Sequence, residues 1–248
     1  MRRTLLILFL VMALLGAMLG AAPLAGSQPN EWDHAEPLIR WEVPLLNQFW
    51  NDTFKNLGEQ YRPVKRYEFY EPTLVDGNIQ TACGNTVTEA WNAFYCTRDE
   101  SIYMHGKFMD LQFTQFATNP AIGDWGDMAA GVIMAHEWAH HVQWVLVAPY
   151  VKAIVRGRVM ELELQADCYA GLFFRALWEV DLIDQADIQE GADALAFLGD
   201  NEQVTIGIPD GCGPAECHGT AEQRRHWFNV GVQQFPNMDA CDTFAAFT

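Results

Sequence analysis

The segment "AGVIMAHEWAHHVQWVL", residues 130–146, constrains this chain more than any other. It is apolar enough at both ends to read as a helix buried on all sides, yet it holds His136, Glu137, His140 and His141. Burying imidazoles and a carboxylate without partners is costly, so the fold must supply something for them to bind. On a helix His136 and His140 project from one face, one turn apart, which suits two ligands of a tetrahedral metal. Glu137 sits beside that face and reaches a metal-bound water rather than the metal. This is the H-E-x-x-H arrangement, in which the glutamate serves as general base. His141 points about 100° away from His140 and reads as a packing residue.

Two histidines do not complete a zinc site, and the third ligand is expected in "ELELQADCYAG", residues 161–171. Glu163 and Asp167 lie four apart and share a face. A solvated carboxylate pair is the bland alternative, but Leu162, Leu164, Ala166, Tyr169, Ala170, Leu172 and Phe173 leave little polar face on which to solvate it. A helical hairpin turning near residues 148–150 would bring Glu163 alongside His140. Glu161 is the rival ligand, about 160° around the helix from Glu163. Glu163 is preferred because it shares a face with Asp167, which can accept the second N–H of a ligand histidine.

The N-terminus sets the compartment. Arg2 and Arg3 precede an uncharged run over residues 5–19 and then small residues to Gly26, the layout of a secretory signal; read through to Ala25, the run is just long enough to span a bilayer. Residues 1–26 are therefore expected as a cleaved signal peptide or a retained membrane anchor through residues 5–25, and the protein as extracytoplasmic, secreted or anchored to the cell membrane. In such a compartment the six cysteines are expected to pair. Spacing favours Cys83 with Cys96 and Cys212 with Cys217, leaving Cys168 with Cys241, among the several connectivities six cysteines allow. A net charge of -17 argues against nucleic acid or anionic lipid as a partner.

Residues 27–43 read as a linker, and residues 44–248 as one domain. Its helices are expected over 44–57, 106–116, 127–147 with Asp127 as N-cap, 151–180, and from Thr220 onward; strands over 64–70, 93–96 and 101–104. The acidic stretch over residues 181–193, with Asp187 and Glu190, reads as a solvated face, since it lacks the ligand alternation of a calcium loop. Few early strands and dominant later helices define an α+β class, mainly helical with a small N-terminal sheet.

His218, after the expected Cys212–Cys217 loop and before the last helix, is the candidate for stabilising an oxyanion; the alternative is a surface histidine capping that helix. Arg224 reads more readily as a partner of the acidic surface than of a carboxylate near the site. Trp125 and Trp138 read as core.

Together, "HEWAHHVQ", "ELQADCYAG", "HGTAEQRRHWFNVG", "ACGNTVTEAWNAFYCTRDESIYMHGKF" and "ACDTF" resemble the bacterial neutral zinc metallopeptidases, a gluzincin-like family with an N-terminal membrane segment. The resemblance covers roughly residues 60–248 and is far more specific than H-E-x-x-H alone. It implies a zincin-like metallopeptidase domain holding one catalytic zinc ion (Zn2+) on His136, His140 and Glu163, with Glu137 as catalytic base and Asp167 supporting a ligand. It also implies that the strand pair containing "FYC" and "IY" lies above the cleft. The chain departs from the family pattern at Met104 and His105 and at "GDN", residues 199–201, which bears on substrate preference rather than on zinc. The expected function is an extracytoplasmic zinc metalloendopeptidase acting on peptide or protein substrates. The alternatives are a catalytically idle zinc-bound scaffold at the cell surface, against which the intact Glu137 speaks, and a disulfide-stapled structural protein with a chance motif, against which Glu163 and Asp167 speak.

Overall fold

The computed structural model describes residues 34–70, 78–87, 92–116, 126–147, 157–200 and 218–246. The expected signal peptide or anchor over 1–26 lies outside them, as do Trp125, residues 148–150, Cys212 and Cys217. No helix among the described residues is long and apolar enough to cross a membrane.

In chain order the elements are α1 (Ala35–Leu57), β1 (Arg66–Tyr70), β2 (Asn78–Thr81), β3 (Gly84–Val87), β4 (Ala93–Cys96), β5 (Ser101–His105), α2 (Gly106–Gln115), α3 (Asp127–Leu146), α4 (Val159–Trp178), α5 (Gln185–Phe197) and α6 (Ala221–Gln234). A 3-10 turn (Met238–Cys241) and a short α7 (Thr243–Ala246) follow. The class is α+β and mainly helical, as expected. One sheet has the order β1-β5-β4, with β1 parallel to β5 (Arg66 opposite Ser101) and β4 antiparallel to β5 (Ala93 opposite Met104). β2 and β3 form a separate antiparallel hairpin. The Cys83–Cys96 disulfide ties its turn to the end of β4.

The helix α3 occupies the centre: α1, α2, α4, α5 and β4 all pack on it, and every residue from 128 to 139 is buried. That is the environment its all-round apolar sequence requires. The helices α4 and α6 make the most extensive contact in the molecule, and they approach backbone to backbone. A Cβ on Gly171 would stand 2.1 Å from the Phe228 carbonyl oxygen, and one on Gly231 2.0 Å from that of Cys168, so any side chain at either position would force the helices apart. The Cys168–Cys241 disulfide fastens α4 to the 3-10 turn beside this crossing. Cys83–Cys96 is the pair expected from spacing, and Cys168–Cys241 the pair expected by elimination.

Several boundaries differ from the sequence reading. The expected linker over 27–43 is helical from Ala35, and Pro44 lies inside α1 rather than opening it. A proline in a helix interior costs about 3 kcal/mol. Burial of Ile39, Leu46, Trp50 and Phe54 on one side of α1, roughly 1.5–3 kcal/mol each, outweighs that cost. Asp127 is the first residue of α3, not its cap, which is Gly126. The helix α4 begins at Val159, after Gly157 at φ +62°, rather than at 151. The β2–β3 hairpin went unread because "NIQTACGNTV" has no apolar alternation to mark it.

Where α1 crosses α3, Glu42 is fully buried against Gly131, and neither of its carboxylate oxygens has a hydrogen-bond partner among the described residues. Burial, with a smaller contribution from the Asp127 charge, pushes its pKa well above the usual carboxylate range and favours the neutral acid.

Candidate metal centre

The hairpin geometry expected for the two motif helices is present, since α3 and α4 run antiparallel. His136 meets Asp167, His140 meets Glu163, and Gln143 meets the Leu162 carbonyl. Three donor atoms converge at that contact. His136 Nε2 lies 3.1 Å from His140 Nε2 and 3.1 Å from Glu163 Oε2, and His140 Nε2 lies 3.2 Å from the same oxygen. Ligands at the usual zinc distances in a tetrahedral arrangement stand roughly 3.3 Å apart, so the triangle is close to one face of such a site. The alternative ligand Glu161 is turned away and holds Arg158 at 2.7 Å.

The tautomers follow from what the other ring nitrogens touch. His136 Nδ1 donates to Asp167 Oδ1 at 2.7 Å. On the other ligand, Gln143 Nε2 donates to the Leu162 carbonyl at 2.7 Å, while Gln165 Nε2 donates to that of Cys241 at 2.9 Å. Carbonyls only accept, so these bonds fix the orientation of both amides and turn Gln143 Oε1 into the acceptor for His140 Nδ1, at 2.9 Å. Each neutral imidazole therefore presents a lone pair on Nε2 toward the Glu163 carboxylate. Three lone pairs at such separations repel unless a cation lies between them, and this donor set of two nitrogens and a carboxylate suits zinc.

The ionisation of the metal-free site points the same way. Burial disfavours the charged imidazolium of His136, but Asp167 and Glu163 outweigh it and hold its pKa at about 10. His140 is likewise raised, burial being overcome by Glu163. Burial would raise the carboxyl of Glu163, yet His140 and His136 hold it well below its ordinary range. The cluster traps a positive charge in its midst, as a proton when no metal is there.

Asp167 is itself fully buried and accepts two further bonds, from Arg224 Nε to Oδ2 at 2.9 Å and from the terminal Arg224 nitrogen to Oδ1 at 2.8 Å. This corrects the expectation that Arg224 serves the acidic surface. The close α4–α6 crossing buries it to 3 % exposure, and the carboxylate it meets is the one supporting His136. Its neighbour Arg225 is the one that pairs with a surface acid, Asp193.

Glu137 is 7 % exposed, close enough for its charge to act on His140. His218 stands at the rim, with Nε2 3.9 Å from Glu163 Oε2. Its backbone N–H and that of Gly219 donate to the two oxygens of Asp200, at 3.3 and 2.8 Å. The aspartate of "GDN" thus fixes the loop that carries His218. His105, the other departure from the family pattern, caps α2 by accepting the Phe108 N–H at 3.1 Å. His141 donates through Nε2 to the Arg62 carbonyl and accepts from the Tyr95 hydroxyl through Nδ1, a packing role; burial lowers its pKa, so it stays neutral. Trp138 is core, with its indole N–H on the Tyr61 hydroxyl.

Sequence reasoning missed Gln143 and Gln165, and reads Asp200 only as part of a departure bearing on substrate preference. Gln143 was findable, since it lies three residues beyond His140 on the same helix, within side-chain reach. A second carboxylate group, Asp127, Asp187 and Glu190, gathers at the N-terminus of α3. Glu190 accepts the Ala129 N–H at 2.6 Å and Asp127 that of Met128 at 3.0 Å, so these acids complement the positive end of that helix. Asp187 and Glu190 therefore do not lie on the purely solvated face expected for this stretch.

An antiparallel pair of helices thus carries H-E-x-x-H opposite a glutamate inside an α+β fold, and the sequence has relatives. It belongs to the family described as "Putative neutral zinc metallopeptidase", which matches residues 21–244. Its relatives include the uncharacterised protein YpfJ of Escherichia coli strain K12, 28% identical over 229 residues, spanning 87% of this chain and 73% of the relative. Another is the uncharacterised protein Rv2575 of Mycobacterium tuberculosis strain H37Rv, 34% identical over 190 residues, spanning 70% of this chain and 61% of the relative. No solved structure matches significantly.

Proposed function

We propose that this protein is an extracytoplasmic zinc metallopeptidase with a zincin-like site, hydrolysing peptide bonds in peptide or protein substrates. The observation that carries the reading is the convergence of three lone-pair donors within 3.1–3.2 Å of one another, with Glu137 beside them. His136, His140 and Glu163 would hold the ion. Bound there, zinc supplies a Lewis acid that polarises a carbonyl and makes water a nucleophile near neutral pH.

The chain's own residues perform the remaining work. Glu137 takes a proton as water adds to the scissile carbonyl carbon, and returns it to the amine as the C–N bond breaks. His218, held over the rim by Asp200, donates a hydrogen bond to the oxyanion that develops on the former carbonyl oxygen. Among the described residues β4 has a strand partner on one side only and packs on α3, so an extended substrate could add to its other edge. Two disulfides support a location outside the cytoplasm, with residues 1–26 as signal peptide or anchor.

The test compares wild type with Glu137→Gln for zinc content and for cleavage of casein or a peptide library. Both proteins should carry one zinc, while Glu137→Gln should lose activity by at least about a hundredfold. A wild-type protein without stoichiometric zinc overturns the site assignment, and equal activity in the two overturns the mechanism.

A further inference from the structure

The guanidinium of Arg224 is almost completely buried, and each of its hydrogen bonds has a fixed direction. Two run side by side into the Asp167 carboxylate, and the third goes from the remaining terminal nitrogen to the Leu198 carbonyl at 3.2 Å. Asp167 Oδ1 is thereby shared between Arg224 and His136 Nδ1, and Oδ2 is taken by Arg224 alone. The three side chains form one line from α6 through α4 to α3, ending at the His136 nitrogen that faces His140 and Glu163.

Helix packing does not require this arrangement. The α4–α6 distance is already set by the backbone contacts at Gly171 and Gly231. A buried ion pair adds little or nothing to stability over well-packed apolar residues of similar volume. What a forked, planar cation does better than an apolar side chain is to hold a carboxylate by both oxygens and stop it turning. We infer that Arg224 is a positioning residue of the metal centre: it locks Asp167 so that His136 keeps its Nδ1–H bond and aims its Nε2 lone pair at the ligand triangle. The inference rests on the reading of His136, His140 and Glu163 as metal ligands. The Leu198 contact adds a second effect, since Leu198 stands two residues before Asp200, which fixes the His218 loop.

The experiment uses the full protein and measures zinc dissociation constants by competition with a chromophoric chelator. The proteins are wild type, Arg224→Lys, Arg224→Met, Asp167→Asn and the double variant Asp167→Asn with Arg224→Met, with folding checked by circular dichroism. A wild type that binds no zinc refutes the proposed function itself. With zinc bound by wild type, each single variant should weaken binding by about 10- to 100-fold, the usual effect of removing a partner behind a ligand. Arg224→Lys keeps the charge but not the two parallel bonds, so it should lose affinity as well.

If Arg224 acts through Asp167, the double variant binds no more weakly than Asp167→Asn alone. Losses that multiply overturn the inference, as does a folded Arg224→Lys or Arg224→Met protein within about threefold of wild type. Should Arg224→Met fail to fold, Arg224→Lys and the double variant Asp167→Asn with Arg224→Lys decide by the same criteria. The His136 Nδ1–H proton resonance gives a readout independent of activity: it should persist in wild type and exchange rapidly in Arg224→Lys.

Discussion

Two faces of α3 bury acidic side chains, and they treat them in opposite ways. Toward α4, Glu163 and Asp167 are surrounded by His136, His140 and Arg224, and their carboxyl pKa values fall. Toward α1, Glu42 is as buried as Asp167, lies against Gly131, finds no hydrogen-bond partner among the described residues, and its pKa rises. Burial disfavours ionisation in all three, so the difference comes from the company each acid keeps. One face of the helix holds carboxylates among cations, and the other favours the neutral form of the acid it buries.

Substitutions and pH can break or sharpen this contrast. The largest effect is expected from Asp167→Ala, which strands the Arg224 cation in the interior and should lower unfolding free energy by about 3–5 kcal/mol in a urea titration. A smaller loss would mean that water or another anion reaches Arg224.

Next comes pH. In zinc-free protein His136 has its pKa raised from 6.5 to about 10, so the stability it contributes is full below 6.5 and disappears as pH rises toward 10. Zinc must displace that proton, so apparent zinc affinity should climb roughly tenfold per pH unit between about 7 and 9. A flat profile in chelator competition would contradict it.

On the opposite face Glu42→Leu should stabilise the protein by about 1–3 kcal/mol, because it removes an unsatisfied buried carboxyl. Its pH signature has a definite sign. The raised pKa of Glu42 means wild type loses stability as pH climbs above 4.5, and the Leu variant should lack that component in thermal scans. The smallest effect is assigned to Arg225→Ala. Arg225 and Asp193 are both exposed, and pairs of that kind contribute little. No measurable change in zinc affinity is expected, in contrast to the adjacent Arg224.

The sequence made the ligand side readable because its signals are local. His136 and His140 at one-turn spacing, and Glu163 with Asp167 at the same spacing, declare their shared faces without knowledge of the fold. The partners behind them were not readable in this way. Arg224 and Arg225 are neighbours with the same side chain, and only the α4–α6 crossing, set by Gly171 and Gly231, decides which one turns inward. Gln165 looks like any polar residue of an amphipathic helix until the Cys241 carbonyl is placed against it. Pro44 reads as a helix start because the helical spacing of Leu46, Trp50 and Phe54 is visible beyond it, while the burial of Ile39 ahead of it is not. Glu42 gave no signal, since a lone glutamate between Trp41 and Val43 normally faces water.

The amide chain from His140 through Gln143 and Gln165 ends on Cys241, and the ionic line from His136 ends on Arg224. Both ends come late in the chain: 57 residues separate Asp167 from Arg224, and 76 separate Gln165 from Cys241. A nascent polypeptide therefore holds all three donor side chains well before it has the groups that aim them. Metal capture and the closing of the C-terminal disulfide should accordingly be late, coupled events, and a fragment ending after α5 should hold zinc more loosely than the full protein.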